Sequence, residues 1–217
     1  MTAALCMVLA YLIGALPFGV IAGKLLKGID VREYGSGRMG ATNVMRTLGW
    51  KVSITILILD MGKGVAAVFI ARAFSEPKYV EALAGLAAVV GHNWPVYVKF
   101  KGGRGVSPGL GGLFALVPPV GAIALGVGLV VIAATRFVSF GSMCGAVSGF
   151  LGTLVLALTG RQSWEYLAYT AVVVPLIIIQ HRDNIARLIR GEERKFGKKA
   201  EAAAAKAAER PVAGRQT

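Results

Sequence analysis

Ser107-Pro-Gly-Leu-Gly-Gly-Leu-Phe-Ala-Leu-Val-Pro118-Pro119-Val-Gly-Ala-Ile-Ala-Leu-Gly-Val-Gly-Leu-Val-Val-Ile-Ala-Ala134 carries no charge, and whether it crosses a bilayer once or twice decides the fold. A single helix over this stretch would be roughly 40 Å long, against a hydrocarbon core of about 30 Å. Pro118 and Pro119 interrupt it near its first third, and neither can donate a backbone hydrogen bond. Charge distribution arbitrates. Basic residues cluster in loop 24–51 (Lys24, Lys27, Arg32, Arg38, Arg46, Lys51), in loop 99–106 (Lys99, Lys101, Arg104) and in the tail from Arg182 onward. By the positive-inside rule all three belong on the cytoplasmic side. One crossing by 107–134 would strand the tail on the other side, whereas two short passes keep every basic segment inside.

On either side of it, apolar runs near 3–23, 52–74, 80–98, 138–159 and 164–180 each approach the roughly 20 residues a spanning helix needs. With the two passes around Pro118-Pro119 they make seven membrane helices, N-terminus out and C-terminus in. The expected fold is an all-α polytopic membrane protein, some of its helices short. Composition agrees: 55% hydrophobic and 16% charged residues over 217 positions suit an integral membrane protein rather than a soluble domain. The formal charge of +13 is then topological, so no nucleic-acid partner is expected. No Lys or Arg precedes Lys24, so the first run reads as a retained span rather than a cleaved signal. Residues 1–193 are expected to form one membrane domain, and the Ala-rich basic tail 194–217 a weak helix or disordered extension.

The chemistry-bearing stretch is Gly35-Ser36-Gly37-Arg38-Met39-Gly40-Ala41-Thr42-Asn43-Val44-Met45-Arg46. Glycines let successive N–H groups turn toward one point, Ser36 and Thr42 add hydroxyls, and Arg46 offers a planar fork that fits phosphate oxygens. A second such loop is Phe100-Lys101-Gly102-Gly103-Arg104-Gly105-Val106, and two anion sites on one face point to two phosphorylated ligands. Arg136, Ser139 and Ser142 form a further polar group on the same side. His92 and His181, the only histidines, also fall on this face, where a ring nitrogen could reach a phosphate or hydroxyl. Asp60 and Lys63 lie inside the second span at i and i+3, where they are expected to pair with each other or with the loops above.

Absences narrow the chemistry. Three Asp, at 30, 60 and 183, are too dispersed for a paired-carboxylate metal cluster, and Cys6 and Cys144 sit in apolar runs, so neither metal nor cofactor is expected. There is no GxSxG elbow and no Walker lysine-hydroxyl pair, and neither histidine is followed four residues later by Asp.

Together Gly35-Ser36-Gly37 to Gly40-Ala41-Thr42-Asn43-Val44 with Arg46-Thr47-Leu48-Gly49, then Gly91-His92 with Pro95-Val96 and Phe100-Lys101-Gly102-Gly103, and finally His181-Arg182-Asp183-Asn184-Ile185 resemble the three signature motifs of the PlsY family. That family comprises bacterial acyl-phosphate:glycerol-3-phosphate acyltransferases. The resemblance runs from about residue 10 to 193. It implies a seven-helix inner-membrane enzyme with its active site at the cytoplasmic face. The reaction moves a fatty acyl group from acyl phosphate to the first hydroxyl of glycerol 3-phosphate, giving lysophosphatidate and phosphate for phospholipid synthesis. The family's functional residues fall on Ser36, Arg46, Ser142, His181 and Asn184. Its second-loop lysine falls on Arg104, which keeps the charge and changes reach and geometry. Arg38-Met39 stands where Asn-Ile is usual, and Val106-Ser107-Pro108 departs from an expected Ala-Thr.

The implied catalytic set is Ser36, Arg46, Arg104, His181 and Asn184. The substrate-binding set is Gly37, Gly40, Thr42, Asn43, His92, Lys101, Gly102, Gly103 and Ser142. Gly37–Asn43 and Arg46 would hold one phosphate, and Lys101, Arg104 and Ser142 the other. The proton acceptor is open among His181, His92 and the acyl-phosphate oxygens. Membrane lipid is the expected surround, with no obligate protein partner. The rival is a small-anion transporter, which should show repeated halves and helices broken at the midplane. No convincing inverted repeat is visible, and a basic structural membrane protein leaves both glycine loops unexplained.

Overall fold

The computed structural model describes residues 2–74 and 77–197, and among them every regular element is helical. The helices are α1 (Thr2–Ala15), α2 (Phe18–Lys27), α3 (Ala41–Leu48), α4 (Trp50–Ala73), α5 (Lys78–Asn93), α6 (Val106–Leu116), α7 (Pro118–Thr135), α8 (Val138–Leu158), α9 (Trp164–Gln180) and α10 (Arg182–Ile189). Single 3-10 turns lie at Val31–Glu33 and Val96–Val98. Ala3–Lys27, Trp50–Ala73, Pro118–Thr135 and Val138–Leu158 are long and apolar enough to cross a membrane, and Val106–Leu116 and Trp164–Gln180 are shorter apolar helices. Residues 198–217, where the sequence suggests a weak helix or disorder, lie outside the described residues.

The stretch opened by Ser107 is two helices, separated at Val117 (φ −141°, ψ 76°). Pro118 and Pro119 begin α7, where a missing N–H costs nothing, so the proline pair starts one helix by ending another. The first apolar run departs from the sequence expectation of one unbroken helix over 3–23. It parts at Leu16-Pro17 into α1 and α2. Pro17 cannot continue the ladder, and the buried Lys63 ammonium from α4 donates to the Leu16 carbonyl at 2.5 Å. The run near 80–98 likewise ends as a helix at Asn93, because Pro95 turns the chain into the second loop.

Glycines set the helix spacing. Gly14 of α1 lies on the Ala88 backbone of α5, Gly64 of α4 on Pro108 and Gly112 of α6, and Gly128 of α7 on Gly141 of α8. Where lipid is as apolar as the core, such close backbone approach is what holds helices together. Two buried ionic clusters add direction. At mid-bundle Lys63 sits 2.6 Å from Asp60 and 4.8 Å above the Phe18 ring, so the paired charges tie α4 to the broken first helix. At the end remote from the glycine loops Arg72 binds Glu81 at 2.6 Å and reaches the Ala115 carbonyl at 3.3 Å, while the Tyr166 hydroxyl donates to the same carboxylate. These contacts join α4, α5, α6 and α9. The central core of Val68, Val89, Leu113, Tyr169, Val173 and Ile177 fills the space between the two clusters.

Candidate active site

The first glycine loop is organised by one side chain. The Asn43 amide nitrogen donates to the carbonyls of Val31 (2.7 Å), Arg38 (2.8 Å) and Tyr34 (3.1 Å), and its oxygen accepts from the Ser36 N–H at 2.8 Å. Gly35 turns with φ +61° against that oxygen, where a side chain would have no room. The loop delivers the chain into α3 through Gly40, whose carbonyl accepts from the Asn43 and Val44 N–H groups and leaves those of Ala41 and Thr42 without a backbone acceptor. Ser53 of α4 fixes this entry by donating to the Ala41 carbonyl at 2.9 Å.

Arg32 binds the second loop to the first. It forks onto Asp30, with contacts of 2.6 to 3.2 Å, and donates from Nη1 to the carbonyls of Val98 (2.9 Å) and Lys101 (3.2 Å). Within that second loop Lys99 and Phe100 take left-handed backbone (φ 56° and 59°), and the Gly103 N–H donates to the His92 carbonyl at 2.9 Å. The His92 ring presses on Gly103, and its Nδ1 is 3.7 Å from Asp60.

Both loops open on one cavity of about 490 Å³. Its polar end is lined by Ser36, Arg38, Gly40, Thr42, Asn43 and Arg46 from the first loop and α3, and by His92, Gly103 and Arg104 from the second. Ser139 and Ser142 of α8, with His181, Asn184 and Arg187, complete that end. Gly37, Lys101 and Gly102 are not part of the wall, and the Lys101 side chain is exposed. The other end is apolar, walled by Leu110 and Leu113 of α6, Leu125 of α7, and Val173 and Ile177 of α9.

Electrostatics at the polar end favour anions. Burial and the neighbouring Arg38 guanidinium pull Arg104 down to about 10, so it remains cationic at neutral pH, and its buried Nε has no partner. Burial and Arg194 lower Arg46 in the same sense. Burial and the Arg104 charge push His181 down to about 4. His181 Nδ1 lies 2.8 Å from the Ile177 carbonyl, which can only accept, so the ring proton is on Nδ1 and Nε2 is a bare acceptor.

The family model described as "Glycerol-3-phosphate acyltransferase" matches residues 4–191. The chain belongs to that family. A glycerol-3-phosphate acyltransferase from Synechococcus sp. (strain CC9902) is 44% identical over 90% of this chain and 96% of its own. One from Thermus thermophilus is 43% identical over 93% of this chain and all of its own. Two solved structures of PlsY, an integral membrane glycerol 3-phosphate acyltransferase, superpose on it. The glycerol 3-phosphate form has a TM-score of 0.84 at 40% identity, covering 91% of this chain and 96% of that one. The lysophosphatidic acid form has a TM-score of 0.82 at 38% identity, covering 94% and 100%.

Glu193 is a residue of this acyltransferase that sequence reasoning passed over. Its carboxylate accepts from Asn184 Nδ2 (2.5 Å), Ser139 Oγ (2.8 Å) and Arg187 Nε (2.8 Å), drawing α8 and α10 together. Burial opposes its charge, but those three donors prevail and hold its carboxyl below the usual range. The segment after it runs back along the cavity. Arg194 and Phe196 line the wall, and the Phe196 N–H donates to the Arg136 carbonyl, while Arg136 Nε donates to the Phe196 carbonyl at 3.1 Å. The available signal was the Glu192-Glu193 pair, two of only eleven acidic residues, directly after the amphipathic α10. Among the described residues no group of three His, Cys, Asp or Glu could hold a metal.

Proposed function

We propose that this acyltransferase moves a fatty acyl group from acyl phosphate to the first hydroxyl of glycerol 3-phosphate, releasing lysophosphatidate and inorganic phosphate. The observation that carries the reading is a single cavity that is cationic at one end and apolar at the other. A donor with a phosphate head and an acyl tail is complementary to both ends at once, and a second phosphate is needed to balance the remaining guanidinium groups.

In this reading Arg46, the Thr42 hydroxyl and the N–H groups of Ala41 and Thr42 hold one phosphate, and Arg104 and Ser142 the other. Lys101 contributes charge at the rim. Ser36 and Asn184 stand at the polar end with hydroxyl and amide groups for the glycerol, and Asn43 keeps the first loop in shape. The substrate hydroxyl oxygen forms a bond to the acyl carbon while the bond from that carbon to the phosphate oxygen breaks. The charge that develops on the acyl oxygen and on the leaving phosphate is stabilised by Arg46 and Arg104. His181 Nε2 accepts the hydroxyl hydrogen bond and aims the oxygen. A ring with a pKa of about 4 is a weak base. The proton therefore leaves with the phosphate, whose oxygen gains negative charge as its bond to the acyl carbon breaks and which departs as hydrogen phosphate.

The enzyme sits in the bacterial cytoplasmic membrane with seven spans: α1 with α2, then α4, α5, α6, α7, α8 and α9. The N-terminus is outside and the site faces the cytoplasm. The Lys/Arg bias of the three loops supports this orientation. The test is phosphate release by the purified protein supplied with acyl phosphate, acyl-carrier-protein thioester or coenzyme A thioester. Release from acyl phosphate that strictly requires glycerol 3-phosphate and yields lysophosphatidate is expected. Equal use of a thioester donor, or phosphate release indifferent to glycerol 3-phosphate, overturns the reading.

A further inference from the structure

We propose that the deep end of the cavity measures the acyl chain, and that Thr170 of α9 sets the length it accepts. This rests on the acyl-transfer reading above. Three helices stop lining the cavity at one level: α6 after Leu113, α7 at Ala124, and α9 at Tyr169 and Thr170. Beyond them the buried Val117 and Val120 fill the space. Thr170 is fixed from behind, because its hydroxyl lies 2.6 Å from that of Thr153 on α8, and both residues are buried. The Tyr169 hydroxyl beside it donates to the Gly109 carbonyl at 2.9 Å. The floor is thus cross-braced by hydrogen bonds between helices rather than left to side chains free to repack.

Thr170 lies eleven residues before His181, the residue that caps α9, and its partner behind the floor, Thr153, lies eleven residues after Ser142 on α8, which itself lines the cavity only as far as Ala146. At the helical rise each interval spans about 16 Å, a distance comparable with a long saturated chain whose carbonyl sits at the polar end. The cavity wall also includes Leu57 and Leu129, both exposed on the outer surface of the bundle, so a chain leaving sideways there would escape measurement. The two routes make opposite predictions for chain-length selectivity.

The experiment measures kcat/KM for saturated acyl phosphates stepped by two carbons, at saturating glycerol 3-phosphate, in the wild type and in Thr170→Ala and Thr170→Met. Thr170→Ala, with a deeper floor, is expected to move the optimum to a longer donor, and Thr170→Met to a shorter one. The ratio between neighbouring donors should change by about tenfold, the scale of one or two methylenes in a closed apolar pocket. KM for glycerol 3-phosphate should stay put, which separates a moved floor from a damaged fold. Ala124→Val enters the same floor from α7 and must shift the optimum as Thr170→Met does, so the test survives if one variant fails to fold. Unchanged chain-length profiles in variants that still transfer acyl groups to glycerol 3-phosphate overturn the proposal and leave the acyl-transfer reading standing. A wild type that transfers from no acyl phosphate of any length removes both.

Discussion

Arg104 stands where the family's lysine would, and its buried, unpartnered Nε makes it a fork waiting for an anion. Arg104→Lys keeps the charge and loses the paired donors, so KM for one phosphorylated substrate should rise about tenfold with a smaller fall in kcat. In the proposed mechanism Arg46 stabilises developing charge, so Arg46→Ala should lower kcat/KM by about 10²- to 10³-fold, read in a phosphate-release assay. Normal turnover by Arg46→Ala would remove it from the site. His181 and Glu193 act together on acid stability. The His181 ring titrates near 4 in the fold against an ordinary 6.5. Its neutral form therefore contributes stability that is complete above pH 6.5 and is lost as pH falls toward 4. Glu193, held below its ordinary 4.5, adds stability that is present above that value and lost on further acidification. Thermal unfolding followed from pH 7 to pH 4 should show a falling Tm, and His181→Asn should flatten the slope between 6.5 and 4. The role of Glu193 was invisible in sequence because a glutamate in a basic, post-helical stretch has the composition of a solvated tail. Its three donors come from positions up to 54 residues away.

At the scale of elements, the buried Asp60–Lys63 pair secures the break at Pro17. Asp60→Asn leaves Lys63 charged and under-compensated in the bundle interior, and should cost about 3–5 kcal/mol of stability. The double variant Asp60→Asn/Lys63→Met should lose less than the sum of the two single losses, a non-additivity measurable by thermal or denaturant unfolding. The i, i+3 spacing in an apolar run made the pair legible from sequence alone. Its target, the Leu16 carbonyl, was not, because it lies in the break between α1 and α2, 47 residues away. Arg32 presents the same contrast. As a charge in loop 24–51 it counted only toward orientation, yet it is the residue that ties the two glycine loops. Arg32→Ala should leave the helices folded and raise KM for substrate several-fold, as judged from unchanged helical content with impaired kinetics.

For the whole molecule, everything rests on segments from the first loop, the second loop, α8 and the stretch after α9 meeting at one end of the bundle. Single cysteines at Glu33 and Lys101, in a background with Cys6 and Cys144 changed to Ala, should react with a membrane-impermeant reagent from the same compartment. Labelling from opposite compartments would contradict a shared centre. The apolar runs, the two helices meeting at Pro118-Pro119 and the residue types of the anion loops are written in the chain itself. Hydrophobic partition, proline's missing donor and glycine's backbone freedom act within a few residues of where they are written. Tertiary structure alone decided that Asn43 is spent on its own loop, that His181 offers Nε2, that Glu193 gathers Asn184, Ser139 and Arg187, and that the cavity ends at Thr170. Each of these depends on distances between groups on different turns, loops or helices, and only close packing of the helices sets such distances.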